Sequence, residues 1–508
     1  MSELPLGWTR ARLDDVADVL DFEREPINSS ERSERIAGKK VSELFAYYGA
    51  TGKVGSIDDF RSEGQRVLLG EDGAPFLDSF KDKAYLVNGR FWVNNHAHVL
   101  RGAVGFVDNR FLCHQLNTVD YQPFVSGSTR LKLTSAAMRQ IPLLVAPLEE
   151  QARIVEKLEE LLSDLDAAVA ELKAAQKKLA QYRQSLLKAA VEGALTAKWR
   201  AERAQRDETT ESGAQHLARI LIERRKRWEV KQLTKYKEQG KTPLKDWRDK
   251  YSEPVTPIIS ELPSLPKNWV WTTMESLIDE GPQNGLYLPS DRYGRGCPIL
   301  RIDDFQIGWV RERGNLNLVD ADLDTVESYE LIRNDLVVNR VNSMTHLGKS
   351  LVVNGALCGA LFESNMMRIR LSQLANVKYV GLYLGSEIGR KRLIRDAKWA
   401  VNQASINQQD VKRTLIPFPP IEEQLLIGEI VADQLLAVER QVRAIEIGVK
   451  QSTAQRKNIL KAAFSGQLVR QDPNDEPASV LLERIRAERS DRVLTGKKRG
   501  STKLKDPA

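Results

Sequence analysis

The 508-residue chain contains no run of 18 or more apolar residues, so no segment reads as a membrane-crossing helix. Its first residues, MSELPLGWTRARLDD, lack the basic-then-apolar order of a secretory leader, and a cytoplasmic location is expected. Only three cysteines occur, Cys113, Cys297 and Cys358, far apart and odd in number. That argues against a disulfide framework and for reduced thiols. Catalytic signatures are missing as well. There is no Walker A sequence, no G-x-G-x-x-G opening a helix after a strand, no G-x-S-x-G elbow, and no Pro-Pro-Tyr or Pro-Pro-Phe motif of the kind adenine methyltransferases use. His96, His98, Cys113 and His114 could supply four metal ligands, but their spacing is not that of the usual C-x2-C or H-x3-H pairs. Neither a metal site nor a catalytic centre is expected in this chain.

What is present is a repeat. Residues 147–196 lie over 420–469 without a gap, at a constant offset of 273, and 16 of the 50 pairs are identical. Both copies open on "EEQ" (Glu149, Glu150, Gln151; Glu422, Glu423, Gln424), and they close on "LLKAAVEGAL" and "ILKAAFSGQL". In the first copy Leu158, Leu165, Leu172, Leu179 and Leu186 recur every seven residues, with Leu161, Ala168, Ala175, Tyr182 and Ala189 between them. In the second copy Val431, Val438, Ile445 and Ile459 hold the same phase, interrupted by Ser452 and accompanied by Leu435, Val442 and Val449. Two heptad seams of this length predict long helices, roughly 65 Å each at about 1.5 Å per residue, that pair in an intramolecular coiled coil. Pro147 and Pro420 precede acidic first turns, and Gly193 and Gly466 follow the last periodic residues as stops.

The duplication extends upstream, where "LPLGW" at Leu4 matches "LPKNW" at Leu265. The plan is globule, rod, globule, rod. Runs such as "KAYLVNGRFWVNNHAHVL" and "YELIRNDLVVNRVNS" make both globules strand-rich α/β. The expected division is a globule over 1–146, a long helix over 147–196, a charged helix and linker acting as a tether over 197–262, a second globule over 263–419, a second long helix over 420–469, and a helical tail with a basic disordered end over 470–508.

Net charge is +7, a mild excess compatible with a polyanionic partner. Side chains of the base-reading type cluster in both globules: Tyr48, Thr51, Lys53, Asn94, Asn95, His96, His98, Arg101, Ser128 and Arg130 in the first, and Asn339, Arg340, Asn342, Ser343, Lys349, Lys398, Asn402, Gln403, Ser405 and Asn407 in the second. Arg can take guanine bidentately, Asn and Gln can take adenine, and Ser, Thr and Lys can hold phosphates. Taken singly, each of these residues is also ordinary turn chemistry.

The P-x-x-E-Q opening of a long helix, the L-K-A-A-x-x-G-x-L close, their repetition, and the variable globules between them resemble the specificity subunits of type I restriction-modification systems. Segments such as "YYGATGKVGSIDDF", "FWVNNHAHVL" and "NDLVVNRVNS" resemble target recognition domains of that family. The resemblance implies two α/β recognition domains related by a pseudo-twofold and separated by two long antiparallel helices. It implies a non-catalytic reader of a split, asymmetric double-stranded DNA site, docked to two modification subunits through the long helices, Glu150, Gln151, Glu423 and Gln424 included. S-adenosylmethionine, ATP and Mg2+ would belong to the modification and restriction/translocase partners, and this chain would carry no cofactor. The rival reading is a coiled-coil scaffold with protein-binding globules.

Overall fold

The computed structural model describes residues 4–500 except 79, 207–210, 261, 307–308, 311–312 and 401–402. The chain divides into two compact units, Met1–Lys173 with Glu446–Ala508, and Ala174–Ile445. Four helices organise them: α1 (Leu148–Val191), α2 (Gly213–Glu238), α3 (Ile421–Ala463) and α4 (Ala478–Gly500). The division falls near the middle of α1 and of α3, because each unit contains opposite halves of the two helices. In the first unit Leu158 and Leu162 of α1 share a core with Ile459 and Ala463 of α3. In the second, Leu186, Leu187, Ala190 and Val191 share one with Ile427 and Val431. The start of each helix therefore lies beside the end of the other, and the pairing is antiparallel.

Along α3 the seam holds throughout, with Val431, Leu435, Val438, Val442, Ile445, Val449 and Ile459 all buried or half-buried. Ser452 interrupts it without loss, since its hydroxyl donates to the Gly448 carbonyl at 2.9 Å. Along α1, Leu158 and Leu186 are buried and Leu165, Leu172 and Leu179 half-buried. The companion stripe departs from expectation: Ala168 and Tyr182 are exposed, and Val169 and Arg183 turn inward instead. The offset is present from the first heptad, where Leu162 is buried beside a half-buried Leu161, and Tyr182 still reaches α3 by donating its hydroxyl to Gln434 Oε1 at 2.7 Å.

Each globule is closed at its base by a strand pair. Thr9–Arg12 runs antiparallel to Pro142–Val145, and Val270–Thr273 antiparallel to Leu415–Phe418. In the first unit one sheet has the order Ala17–Val19, Ala97–Gly102, Arg66–Gly70, Ala84–Val87, and a second Gly52–Ile57, Phe45–Gly49, Arg90–Val93, Ser62–Glu63. Val67, Leu68 and Leu69 are all fully buried, so the Arg66–Gly70 strand is covered on both faces and reads as a continuous apolar run rather than an alternation. The second unit has a four-stranded sheet, Ile278–Asn284, Met366–Leu371, Leu336–Asn339, Ser350–Val352, and three-stranded sheets around Tyr293–Leu300 and Gln403–Ser405.

The tether expectation for 197–262 is corrected in its helical part. Helix α2 is docked on the second globule, burying Gly213, His216 and Ile220, with His216 Nε2 at 2.8 Å from the Leu374 carbonyl. Helix α4 docks on the first globule in the same way through Ala478, Leu481, Leu482 and Ile485. The two docks repeat in detail: the Gly213 amide donates to the Asn268 carbonyl, the Ala478 amide to the Gly7 carbonyl, both at 2.8 Å. Asn268 and Gly7 both adopt a left-handed backbone, φ 70° and 74°, which turns each carbonyl toward the helix start. A β-carbon on Gly213 would meet the Phe418 carbonyl oxygen at 2.3 Å, so glycine is required there. Helix α4 also runs to Gly500, past 496, where the basic tail was expected to lose structure; residues 501–508 lie outside those described.

Candidate nucleic-acid interface

The globules are fixed to the long helices by a repeated lock. Trp8 Nε1 donates to Glu150 Oε2 at 3.0 Å, and Trp269 Nε1 to Glu423 Oε2 at 2.8 Å. Gln151 Nε2 donates to the Ala146 carbonyl at 2.9 Å, and Gln424 Nε2 to the Pro419 carbonyl at 2.8 Å. All four acidic and amide side chains are buried to 1% exposure or less. The expectation that Glu150, Gln151, Glu423 and Gln424 face a partner is therefore overturned: they bind their own globule.

The two carboxylates differ in one respect. Glu423 also accepts from Thr196 Oγ1 at 2.6 Å and from Arg200. Among the described residues Glu150 has no such arginine in hydrogen-bond contact, and burial lifts its carboxyl above the usual range despite the bond from Trp8 and the charge of Arg153. A raised folded-state value favours the protonated form, so the ionised carboxylate costs stability that grows as pH rises above about 4.5. Glu150→Gln keeps an acceptor for Trp8 without the charge. It is expected to melt about 1–3 °C above the parent at pH 8 and to show no gain near pH 4; thermal unfolding of the full chain at both values decides, and a gain independent of pH would refute the account.

At one edge of the first globule four segments converge. The Asn94 amide donates to the Tyr48 carbonyl at 3.0 Å, and the Glu71 amide to the His96 carbonyl at 2.8 Å. The Leu133 amide donates to the Glu71 carbonyl at 2.7 Å. These bonds bring together the 50–52 turn, the 94–96 turn, the segment after Arg66–Gly70 and the 125–133 hairpin. Thr51, Lys53, Asn95, Ser128 and Arg130 are exposed on this edge, and Asn94 and His96 half-exposed. Asp72, which sequence reading passed over, organises it: Arg130 Nε lies 2.6 Å from one carboxylate oxygen and His96 Nδ1 3.6 Å from the other. Its short side chain in a Gly-rich "GEDG" turn was the available signal.

Beneath the edge lies a buried ionic network. His98 has no exposure; Nδ1 is 2.8 Å from Asp21 and Nε2 2.9 Å from the Leu133 carbonyl. Arg24 joins Asp21 and Glu71. Burial alone would raise the Asp21 and Glu71 carboxyls, but His98, Arg24 and, for Glu71, Lys132 hold both below the ordinary range. His98 is thus corrected from a contact residue to a support, because both ring nitrogens are engaged inside. Tyr48 packs its ring against Tyr85 and Phe91. Arg101 sits at the far end of its strand, 2.9 Å from Asp18, which also bonds Arg489 of α4; at about 3.3 Å per residue it stands roughly 20 Å from the 94–96 turn.

In the second globule the Lys398–Ala400 and Gln403–Ser405 hairpin pairs with Val341–Asn342. Lys398 and Gln403 are exposed, Asn342 and Ser405 half-buried; Asn402 lies outside the described residues. Trp399, 72% exposed on the same hairpin, was not singled out from sequence, although an aromatic beside Asn and Gln in a hairpin was a visible cue. Asn339 is corrected to a fully buried position, since it falls on a central strand covered on both sides. Asn407 caps the helix Gln408–Lys412 by accepting from the Gln409 and Asp410 amides, so its oxygen is used locally. Arg340 donates to the Ser364 carbonyl at 3.1 Å, and Ser343 bonds Thr345 at 2.9 Å. Lys349 lines a cleft elsewhere on the globule.

Among the described residues no group of three or more His, Cys, Asp or Glu is placed to hold a metal ion. Cys113 is buried on the helix Asn109–Leu116, its thiol pushed up to about 12 by burial. No helix among them is long and apolar enough to cross a membrane.

Comparison with known proteins places this architecture. The type I restriction modification DNA specificity domain matches residues 5–175, the first globule and the first half of α1. The EcoKI specificity subunit of Escherichia coli is 25% identical over 419 residues, 77% of this chain and 74% of that one. The chain carries a type I restriction-modification specificity domain over residues 5–175. A Haemophilus influenzae protein catalogued as type I restriction enzyme specificity subunit S.HindORF215P is 38% identical over 149 residues, and that alignment spans 29% of this chain and only 36% of the relative. A solved structure, described as the basis of complex assembly and conformational transition of the type I R-M system, shares the fold with a TM-score of 0.57 at 18% identity, covering 92% of this chain and all of that one. Specificity subunits are the non-catalytic recognition component of their systems. In this chain the lock, the base strand pair and the docked helix all occur twice, and the lock and strand pair that lie within the matched 5–175 recur in the second half.

Proposed function

We propose that this specificity subunit reads a split, asymmetric double-stranded DNA site, one half with the Thr51–Lys53, Asn94–His96 and Ser128–Arg130 edge and the other with the hairpin around Lys398, Gln403 and Ser405 beside Asn342. In this reading two modification subunits dock on α1 and α3 and, with S-adenosylmethionine, methylate an adenine in each half-site. Restriction/translocase subunits using ATP and Mg2+ join them in the cytoplasm. The observation that carries it is one structural frame built twice, with unlike polar loops on the two copies: a pseudo-twofold molecule suits a site whose halves are spaced alike and spelled differently.

The test is methylation sequencing of DNA from cells that express this chain with its modification subunit, against cells lacking the chain. A bipartite motif modified in both halves, whose one half changes when residues 1–146 are exchanged, supports the reading; no chain-dependent motif with a bound, active modification subunit favours a scaffold. At single residues, Asn95→Ala is expected to weaken binding of the cognate duplex by about 1–3 kcal/mol while leaving binding of unrelated DNA unchanged, as for a base contact. Lys53→Ala is expected to weaken both alike and to lower the salt slope by about 1, as for a phosphate contact. Titrations on cognate and scrambled duplexes at several salt concentrations separate the two patterns.

A further inference from the structure

The second unit contains a cleft of about 560 Å³ between the helices Val377–Gly385 and Glu387–Leu393 and the adjoining halves of α1 and α3. Five of its lining residues are cationic: Arg183 from α1, Lys349, Lys378, Arg390, and Arg443 from α3. None of the described lining residues is acidic. Glu439 acts electrostatically on Arg183 and Asp303 on Lys349, and neither lines the cleft. The volume falls within the usual range for a small-ligand site, about 300–1,000 Å³.

The charges are only partly compensated. Arg390 donates Nε to the Leu347 carbonyl at 2.8 Å and Nη2 to the Met344 carbonyl at 2.5 Å, which fixes the guanidinium but leaves its charge. Arg183 is half-buried, and its Nε, shielded from solvent, has no hydrogen-bond partner among the described residues. Burial lowers the pKa of Arg183, Lys349 and Arg390 alike, and the Arg390 charge lowers that of Lys349 further. Arg183, Lys349 and Arg390, partly desolvated and compensated only from outside the cleft by Glu439 and Asp303, are stabilised by an anion within it. The walls supply room for one: a β-carbon built on Gly428, which also lines the cleft, meets nothing within 4 Å.

We infer that this cleft binds a phosphate-bearing anion of at least two negative charges, held by Arg183, Lys349, Lys378, Arg390 and Arg443. The phosphate groups come from a free phosphorylated small molecule or from a nucleic-acid backbone, and the chemistry of the site is the same for both. The inference stands apart from the reading of the DNA site, since none of the exposed loop residues assigned to the two half-sites lines the cleft.

Calorimetric titration of the full chain with inorganic pyrophosphate tests it, with chloride at equal ionic strength as the control. Saturable binding of one pyrophosphate per chain is expected, weakened at least about tenfold by the pair Lys378→Gln and Arg443→Gln, which removes two charge-assisted contacts, and abolished by Gly428→Trp, which fills the cleft. Lys378 and Arg443 are exposed, so their replacement leaves the fold intact; thermal melting of all variants checks that. Competition then identifies the source: a short duplex of unrelated sequence that displaces pyrophosphate assigns the cleft to backbone phosphate, and a duplex that does not displace it assigns the cleft to a free phosphorylated ligand. Absence of saturable binding, or binding unmoved in variants that melt like the parent, overturns the inference.

Discussion

Glu423→Ala is expected to destabilise the second unit by about 3–5 kcal/mol. The carboxylate is 1% exposed and accepts from Trp269 Nε1 at 2.8 Å, from Thr196 Oγ1 at 2.6 Å and from Arg200. Its removal leaves the indole N–H without its acceptor and strips the carboxylate from Thr196 and from Arg200, which retains the Gly193 carbonyl at 2.7 Å. The loss of a buried partner costs more than the net worth of the bonds, because the groups left behind were already desolvated. Glu423→Gln is expected to cost less, since it keeps one acceptor oxygen and forfeits mainly the attraction to Arg200. Urea unfolding followed by fluorescence reports the change directly, with Trp269 adjacent to the site. An Ala variant within about 1 kcal/mol of the parent would show that water enters the lock and that the buried geometry does not govern its energy.

Leu158→Ala carries the second large effect, about 2–5 kcal/mol. Leu158 is fully buried in the core formed by Ile154, Val155, Leu162, Ile459 and Ala463, with Trp8 and Phe111 from the globule in the same cluster. The cavity is walled on three sides by separate elements and cannot collapse. Leu172 occupies the same heptad position two turns of the repeat further on, but is half-buried and lies over Gly448, whose missing side chain leaves it little to pack against. For Leu172→Ala about 1 kcal/mol is expected, from area removed from water with no closed cavity. Equal effects at the two positions, measured by denaturant midpoints of the full chain, would mean that the seam is uniformly packed and that burial in the unbound subunit does not rank its positions.

Where the sequence could be read, it was read through periodicity and repetition. A seven-residue leucine spacing over five repeats has few physical meanings, and it specified both long helices before any contact was known. The constant offset of 273 made the second helix equivalent to the first. Half-buried middles were not legible. Heptad spacing says which side of a helix faces its partner, not how much of the partner is there, and in α1 it left open whether Leu161 or Leu162 begins the companion stripe. The docking of α2 was likewise hidden. Its sequence, "GAQHLARILIERRKRWEVKQLTKYKE", looks like a solvated charged helix, yet Gly213, His216 and Ile220 are buried on the globule and Arg227 binds its Asp279 and Ser372.

The candidate interface was legible by residue type and illegible by pose. Asn and His in "VNNHAHVL" looked alike in sequence, yet Asn95 is exposed at the turn, and His98, three residues on, closes an internal network with Asp21. Strand alternation sends neighbours to opposite faces, and which face is the core depends on the strands that pair with it. Asn339 and Asn407 show the same ambiguity: an amide suits a base edge, a buried strand or a helix start equally well until the surroundings choose. The Glu-Gln pairs at 150–151 and 423–424 were legible as a motif and were misplaced as an outward face, because a charged residue at the start of a helix usually complements the dipole in solvent. Here a tryptophan 142 or 154 residues earlier in the chain supplies the donor that makes burial possible.

By itself, then, the sequence determined the duplicated plan and the two long helices, because those rest on spacing and repetition, which are properties of the chain. Only the tertiary structure decided which polar side chains are exposed, which are spent inside, that α2 and α4 complete the two globules, and that five cations with no lining carboxylate share one cleft. Those are matters of what lies opposite each residue, and opposition is set by long-range packing that local sequence does not encode.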